Sequence, residues 1–333
     1  MSQIHLIYTQ FFPPKAPLTE SSLSRQDGKV FVVTGGSSGI GFELARILYS
    51  AGGTVYVMSH HEGRALQAIE AIKTAVAPTV EASSLGLLKF IHLDLADLST
   101  IPTAVAAFQA VETRLGVLFN NAGIASAPLD RKTAQGLEPH FGINCLGPFF
   151  LTKLLLPTLI STAAIAPANS VRIIWTSSIL VDTMAPKGGV RVEQLSNPSQ
   201  DRNEHYSASK AGNWLLASEY HRRFEDKGVV SLTSNPGSLR TNVWRTAPKH
   251  CYWPFYPILS RPVDGAYTNL WVGLSKEITM SDGGRYAIPF GRWHPSPRQD
   301  IVLALKSKEE GGTGEAMGLW DWCEEQVKPY LSS

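Results

Sequence analysis

This chain is short of several things, and each shortage narrows what it can be. Three cysteines, Cys145, Cys251 and Cys323, stand far apart among 333 residues. Their odd number and scattered placing give no disulfide framework and suit a reducing compartment. Charge of one sign is also scarce: 30 Lys and Arg face 28 Asp and Glu, a net +2, without the basic stripe of a nucleic-acid binder. No unbroken apolar run approaches the about 18 residues that would cross a bilayer. The start, MSQIHLIYTQFFPPK, lacks the positive region and small-residue cleavage site of a secretory signal. Its IHLIYTQFF stretch could lie on a membrane surface or pack on the domain, and its low charge favours packing. The reading is a cytoplasmic protein with no transmembrane segment and no nucleic-acid partner. The histidines show no zinc-ligand spacing, so no metal is assigned.

What the chain does have is apolar content, 44 %, arranged in runs of strand length between helical patterns. Strands are expected at Lys29–Val33, Thr54–Met58, Leu87–Leu93, Val117–Asn120, Val171–Thr176, Val229–Asn235 and Arg285–Ile288. Their β-branched, nearly continuous apolar character fits strands covered on both faces. Helices are expected at Gly63–Val76, Ser99–Arg114, Leu137–Ser161 and Tyr206–Lys227. The fold class is therefore α/β: a Rossmann-type doubly wound parallel sheet of about seven strands, helices on both faces, in a single domain. Ligand is expected at the carboxyl ends of the strands. Residues 1–27 read as an N-terminal extension, 28–290 as the nucleotide-binding domain, and 291–333 as a C-terminal helical tail.

The sequence TGGSSGIG, Thr34 to Gly41, follows the apolar run KVFVV and precedes FELARILYSAG. Strand, glycine-rich turn and helix in that order form a phosphate-binding device. Backbone N–H groups of Gly35, Ser37, Ser38, Gly39, Ile40 and Gly41 can approach a pyrophosphate, and the helix start adds partial positive charge. An acid about 20 positions on would hold the ribose of NAD. Ser59 and His60 stand there instead. Ser37, His60 and Arg64 could serve a 2′-phosphate, so NADP(H) is favoured over NAD(H). Glu62 could instead serve a ribose, and the His60–Arg64 stretch could be a solvated helix start. Further along, NNAG (Asn120 to Gly123) and NPGSLRT (Asn235 to Thr241) end the fourth and sixth strands. Tyr206 and Lys210 lie at i and i+4, on one helical face. A nearby ammonium would lower the tyrosine pKa from about 10 and make the phenol usable in proton transfer.

The Gly35-x-x-x-Gly39-x-Gly41 spacing, with NNAG, Ser178, Tyr206-x-x-x-Lys210 and NPG in order, resembles the short-chain dehydrogenase/reductase superfamily over about residues 28–290. That resemblance implies a catalytic tetrad of Asn144, Ser178, Tyr206 and Lys210. Ser178 would bind the substrate oxygen and Tyr206 exchange the proton. Lys210 would lower the tyrosine pKa and hold the nicotinamide ribose, and Asn144 would support a water relay behind it. Ser177 is set aside in favour of its neighbour. It also implies that Asp94 and the Leu95 backbone bracket the adenine. Asn121, Ala122 and Gly123 would pass beneath a ribose. Pro236 and Gly237 would turn the chain, while the Leu239 backbone and Thr241 meet the carboxamide. Taken alone, Asp94 reads equally well as a turn cap.

The long interval between Ser178 and Tyr206 looks like a surface loop and resembles the retinol-dehydrogenase-like branch, including the WW-domain oxidoreductase group. Residues 238–262 occupy the place of a substrate lid. Trp244, Tyr252, Trp253, Phe255 and Tyr256 crowd this span, although aromatics total only 9 % of the chain. Such rings suit a bulky apolar or aromatic ketone or alcohol, and equally a core closure or a dimer contact. The expected activity is an NADPH-dependent carbonyl reductase or alcohol dehydrogenase on a small-molecule substrate. Reduction of an activated C=C bond and a non-catalytic NADP(H)-sensing regulator are the alternatives. The resemblance implies a homodimer or tetramer without choosing between them.

Overall fold

The computed structural model describes residues 8–125, 127–196, 201–240, 256 and 259–331. Its strands are β1 (Val30–Thr34), β2 (Thr54–Ser59), β3 (Leu87–His92), β4 (Val117–Asn120), β5 (Val171–Thr176), β6 (Val229–Ser234), β7 (Tyr286–Ile288) and β8 (Arg292–Trp293). They form one sheet in the order β3-β2-β1-β4-β5-β6-β7-β8. Every pairing is parallel except β7 with β8, and β1 pairs on both sides, with Phe31 opposite Val55 and Val117. Strand order therefore reverses between β1 and β4, which opens a crevice beyond their carboxyl ends.

Alternation along the strands explains why they read as unbroken apolar runs. In β1, Phe31 and Val33 face one core with α1 (Gly39–Ser50), α2 (Glu62–Val76) and α7 (Pro262–Leu274). Val30 and Val32 face the other, with α3 (Ile101–Gln109), α4 (Pro139–Ala163) and α6 (Arg202–Phe224). Both faces are covered, so both parities must be apolar. By length and composition α4 could cross a membrane, but 78 % of its apolar window is buried inside the fold. It is a core helix.

One segment differs from its sequence reading. The segment after Ser178 is not a free surface loop. It contains α5 (Leu180–Thr183), and Val181 and Val190 are buried. Arg298 clamps it by donating to the carbonyls of Val181, Ala185 and Pro186 at 3.1, 2.7 and 3.1 Å. The C-terminal region, with α8 (Gln299–Ala304) and α9 (Glu315–Val327), finishes a core. The Trp320 ring meets Phe149 and Tyr220 at 5.0 and 4.7 Å in edge-on contacts. N-terminal residues pack as well: Gln10 and Gln26 are buried, and Leu18 and Leu23 lie on the α1/α7 side.

Candidate active site

The glycine turn is built from the end of β1 upward. Thr34 Oγ1 donates to the Phe119 carbonyl at 3.2 Å and accepts from the N–H groups of Asn121 and Ala122 at 3.0 and 2.9 Å. Asn121 returns its side-chain amide to the Thr34 carbonyl at 2.9 Å. The ends of β1 and β4 are thereby stapled together. Gly35 has φ +68° and a Cβ there would stand 3.0 Å from the Ala122 Cα. At Gly41 a Cβ would lie 2.5 Å from the Gly35 carbonyl oxygen and 2.6 Å from Asn121 Nδ2. Only glycine lets these backbones approach so closely. Ser38 occupies the N-cap position of α1 without a side-chain cap bond, and no acid lies in the first turn. These are the features of an anion cradle.

Beside it, Ser37 Oγ and Ser59 Oγ are 3.3 Å apart, and His61 N–H reaches Ser59 Oγ at 3.5 Å. His60 is held below the ordinary imidazole range by partial desolvation and by the neighbouring His61, while Asp94 opposes the shift. Arg64 is exposed in the first turn of α2. Ser37, Ser59, His60, Arg64 and Asp94 thus share one rim. One Asp94 oxygen already accepts from Ala96 N–H at 2.9 Å, so the turn-cap reading holds for that oxygen. Leu95 sets its carbonyl against α4, 2.8 Å from where a Gly147 Cβ would stand.

The catalytic candidates converge beyond β4 and β5. Asn144 lies in a π-helical turn of α4, Gly142–Leu146, a local irregularity frequent at functional sites. Its Oδ1 accepts from Ile124 N–H at 2.8 Å, and its Nδ2 donates to the Ile124 carbonyl and Ser209 Oγ at 3.0 and 2.9 Å. Both amide hydrogens are used, so Asn144 staples the NNAG loop to α6. Lys210 Nζ donates to the Thr176 carbonyl at 3.0 Å and stands 5.9 Å from the Tyr206 ring centre. A Cβ on Gly123 would stand 3.0 Å from that Nζ and 3.1 Å from Asn144 Oδ1. The Ser178 side chain lies close enough to Tyr206 to oppose the effect of burial on its phenol. Ser177 turns the other way and donates to the Lys210 carbonyl at 2.7 Å.

One expected effect does not occur. Tyr206 sits above, not below, the ordinary tyrosine pKa, because burial outweighs the opposing effect of the Ser178 side chain. Burial also pushes Lys210 down to about 8. The ammonium is engaged by the Thr176 carbonyl. On the far side, Asn235 Oδ1 accepts from Gly237 N–H at 3.0 Å and closes the Pro236–Gly237 turn. Leu239 is buried and bridges to Ser260. Thr241, Trp244, Tyr252, Trp253 and Phe255 lie outside the described residues, as does Cys251. Tyr256 is exposed, with the Arg240 guanidinium 4.9 Å over its ring.

Sequence reasoning missed two groups here. The Tyr286 hydroxyl donates to the Ser178 carbonyl at 2.8 Å and lies 3.2 Å from Ser177 Oγ. Glu138, His140 and His205 form a buried cluster whose candidate ligand atoms lie within 4.8 Å of one another. His140 stands 6.1 Å from Tyr206, ring centre to ring centre. Ala127 N–H donates to His140 Nε2 at 3.3 Å, which puts the ring proton on Nδ1, 2.6 Å from Glu138 Oε1. The Glu138 and His140 side chains are thus joined by a hydrogen bond beside His205. The Glu-x-His pair just ahead of GINC was the cluster's only sequence signal.

The short chain dehydrogenase family profile matches residues 29–251. The chain belongs to the short-chain dehydrogenase/reductase family. A short-chain dehydrogenase/reductase of Phomopsis amygdali is 44 % identical over 334 residues, covering 97 % of each chain. Short-chain dehydrogenase/reductase iacJ of Pestalotiopsis fici is 39 % identical over 339 residues, covering 99 % of this chain and 100 % of the relative. Among solved structures, the Pseudomonas aeruginosa RhlG/NADP active-site complex superposes with TM-score 0.60 at 21 % identity, over 81 % of this chain and 98 % of the other. That last likeness shows the fold. The expected retinol-dehydrogenase-like branch gives way to the family as a whole, because these close relatives are fungal short-chain enzymes with no retinoid name. The chain is an oxidoreductase of this family, whose cofactor is NAD(P) and whose substrates are small molecules. The glycine cradle, uncapped helix start and stapled NNAG loop fit such a dinucleotide.

Proposed function

We propose that this short-chain oxidoreductase is an NADPH-dependent carbonyl reductase, or the reverse alcohol dehydrogenase. Its substrate would be a bulky apolar or aromatic ketone or secondary alcohol. The observation that carries this is the convergence of Ser178, Tyr206 and Lys210 beside Gly123, where any side chain would crowd Lys210 Nζ and Asn144 Oδ1. Bound NADPH would supply a hydride. Tyr206 Oη donates a proton to the substrate oxygen, and Ser178 Oγ hydrogen-bonds both phenol and substrate. A phenol is protonated at neutral pH, the form that gives a proton in reduction, and its burial makes it a weaker acid rather than a stronger one. Lys210 Nζ, fixed by Thr176, is the group to hold the nicotinamide ribose. Asn144 keeps the loop beneath that ribose in place.

The absence of a carboxylate at Ser59 and His60, with Arg64 on the same rim, supports NADPH over NADH. The RhlG structure of like fold is an NADP complex. The fungal relatives support a place in secondary metabolism. Tyr206→Phe is expected to lower kcat by three or more orders of magnitude while nucleotide fluorescence still titrates normally. Near-normal turnover of a ketone panel by this variant would remove the proposal.

A further inference from the structure

An amide from the N-terminal segment sits where three distant parts of the chain meet. Gln10 is 3 % exposed. Its Nε2 donates to Asp182 Oδ2 at 3.0 Å, and its Oε1 accepts from Asn235 Nδ2 at 2.6 Å. Asp182 lies in α5, directly after Ser178, and Asn235 opens the Pro236–Gly237 turn.

The polarity of this series is fixed from both ends. Gly237 N–H occupies Asn235 Oδ1, which leaves the Asn235 amide hydrogens facing Gln10. Ser296 N–H donates to His294 Nδ1 at 3.2 Å, so the His294 proton is on Nε2 and points at Asp182 Oδ2, 3.1 Å away. Asp182 therefore accepts from both sides. The residue between Asp182 and Asn235 must donate at one end and accept at the other. A primary amide does both; a carboxylate does so only when protonated, and Lys or Arg has no acceptor. The backbone of the segment is held too, because the Arg292 guanidinium donates to the Thr9 carbonyl.

We propose that Gln10 is a positioning residue for the reaction. By bridging Asp182 and Asn235 it sets the separation between the Ser178 loop and the Pro236–Gly237 turn, and so aligns the substrate oxygen with the hydride donor. This rests on the roles proposed for Ser178 and that turn. Tyr286 stiffens the connection: its hydroxyl holds the Ser178 carbonyl, and its ring centre lies 5.9 Å from that of His294. A shift of about 1 Å in such alignment costs on the order of a hundredfold in rate.

The test uses the full chain, NADPH and 9,10-phenanthrenequinone, a rigid aromatic diketone, as probe. Gln10→Ala, and Gln10→Met, which fills similar space without hydrogen bonds, should each lower kcat about tenfold to a hundredfold. The NADPH Kd from nucleotide fluorescence should stay within about twofold, since the phosphate cradle is remote. Gln10→Glu can bridge only while one proton is shared with Asp182. Facing that carboxyl are Asp182 and His294, with Tyr286 behind His294, Arg292 on the Thr9 carbonyl, and Arg298 on the carbonyls flanking α5. Its kcat should approach the wild-type value below about pH 6 and fall more steeply than wild type as pH rises.

Hydrogen exchange supplies a readout independent of turnover. In Gln10→Ala and Gln10→Met, the amides of 178–185 and 235–239 should exchange faster together. The inference is overturned by exchange in the two segments that stays at wild-type rates, by a Gln10→Glu pH profile that overlays wild type, or by a kcat loss matched by an equal loss of NADPH affinity. Wild-type protein that oxidises no NADPH with any ketone would remove the proposed function, while the exchange result still decides the bridge.

Discussion

Lys210 is under opposed demands. It is 4 % exposed and its ammonium donates to the Thr176 carbonyl, not to a carboxylate, so burial pulls its pKa from 10.5 to about 8. A lowered lysine pKa means that the native state disfavours the charged form. The cost is present in full below about pH 8, shrinks as pH rises through that value, and is gone above the unfolded value of 10.5. At 1.36 kcal/mol per unit the cost is on the order of 3 kcal/mol. Thr176 would not be left orphaned by its loss, because Asn213 Nδ2 also donates to that carbonyl at 2.9 Å. Lys210→Met is therefore expected to stabilise the nucleotide-free protein at pH 7 and to abolish turnover. The gain should dwindle towards pH 10.5. Thermal melts across that range check it, and a pH-independent difference would contradict the cause given. By the same titration, wild-type kcat/KM for reduction should fall as pH rises through about 8. A profile flat to pH 9.5 would show that the ammonium is not needed.

At the scale of elements, sequence and structure agree where a local pattern carries the signal. The strands are two-sided apolar runs, and glycine spacing marks the β1–α1 turn, so both could be read directly. Helix starts were harder. Tyr206 is not at the head of α6; Asp201 is, and its carboxylate accepts from Asn203 N–H at 2.8 Å. That Asp-x-Asn cap signal lay in a stretch read as loop. Contacts that join remote segments left no local mark at all. Nothing near Gln10 or Tyr286 in the chain announces Asp182 or Ser178. Arg172 in β5 is a further case. It is 3 % exposed and donates to the carbonyls of Asn169, Val272, Ser275 and Ile278 at 2.8, 2.9, 2.7 and 3.2 Å. It thus caps the end of α7 and the loop beyond it, and burial lowers its pKa to about 10. Arg172→Met would orphan several buried carbonyls at about 1–3 kcal/mol each for those that water cannot reach. A loss of at least about 2 kcal/mol in urea denaturation is expected, and a change under about 0.5 kcal/mol would show that water replaces the guanidinium freely.

Across the whole molecule, the two halves of the site come from neighbouring stretches of the sheet's carboxyl edge. The nucleotide cradle is made by the ends of β1, β2 and β4, and the proton-handling groups by β5 and α6. N- and C-terminal segments then brace the second half, through Gln10 at Asp182 and Arg298 around α5. This division predicts that binding and chemistry can be lost separately. NADPH at about 100 times its Kd should stabilise the fold by about 2.7 kcal/mol, a rise of several degrees in Tm for a chain this size. Tyr206→Phe lies outside the cradle and should keep that rise. Gly41→Ala should lose it, because its methyl would stand 2.5 Å from the Gly35 carbonyl and 2.6 Å from Asn121 Nδ2, both part of the stapled backbone. NADH at the same concentration should give a smaller rise, since neither Ser59 nor His60 can act as the carboxylate that grips an unsubstituted ribose. Equal shifts with the two nucleotides would withdraw the preference for NADPH. A full shift in Gly41→Ala would move the nucleotide away from the glycine turn, and the catalytic alignment built upon it would fall as well.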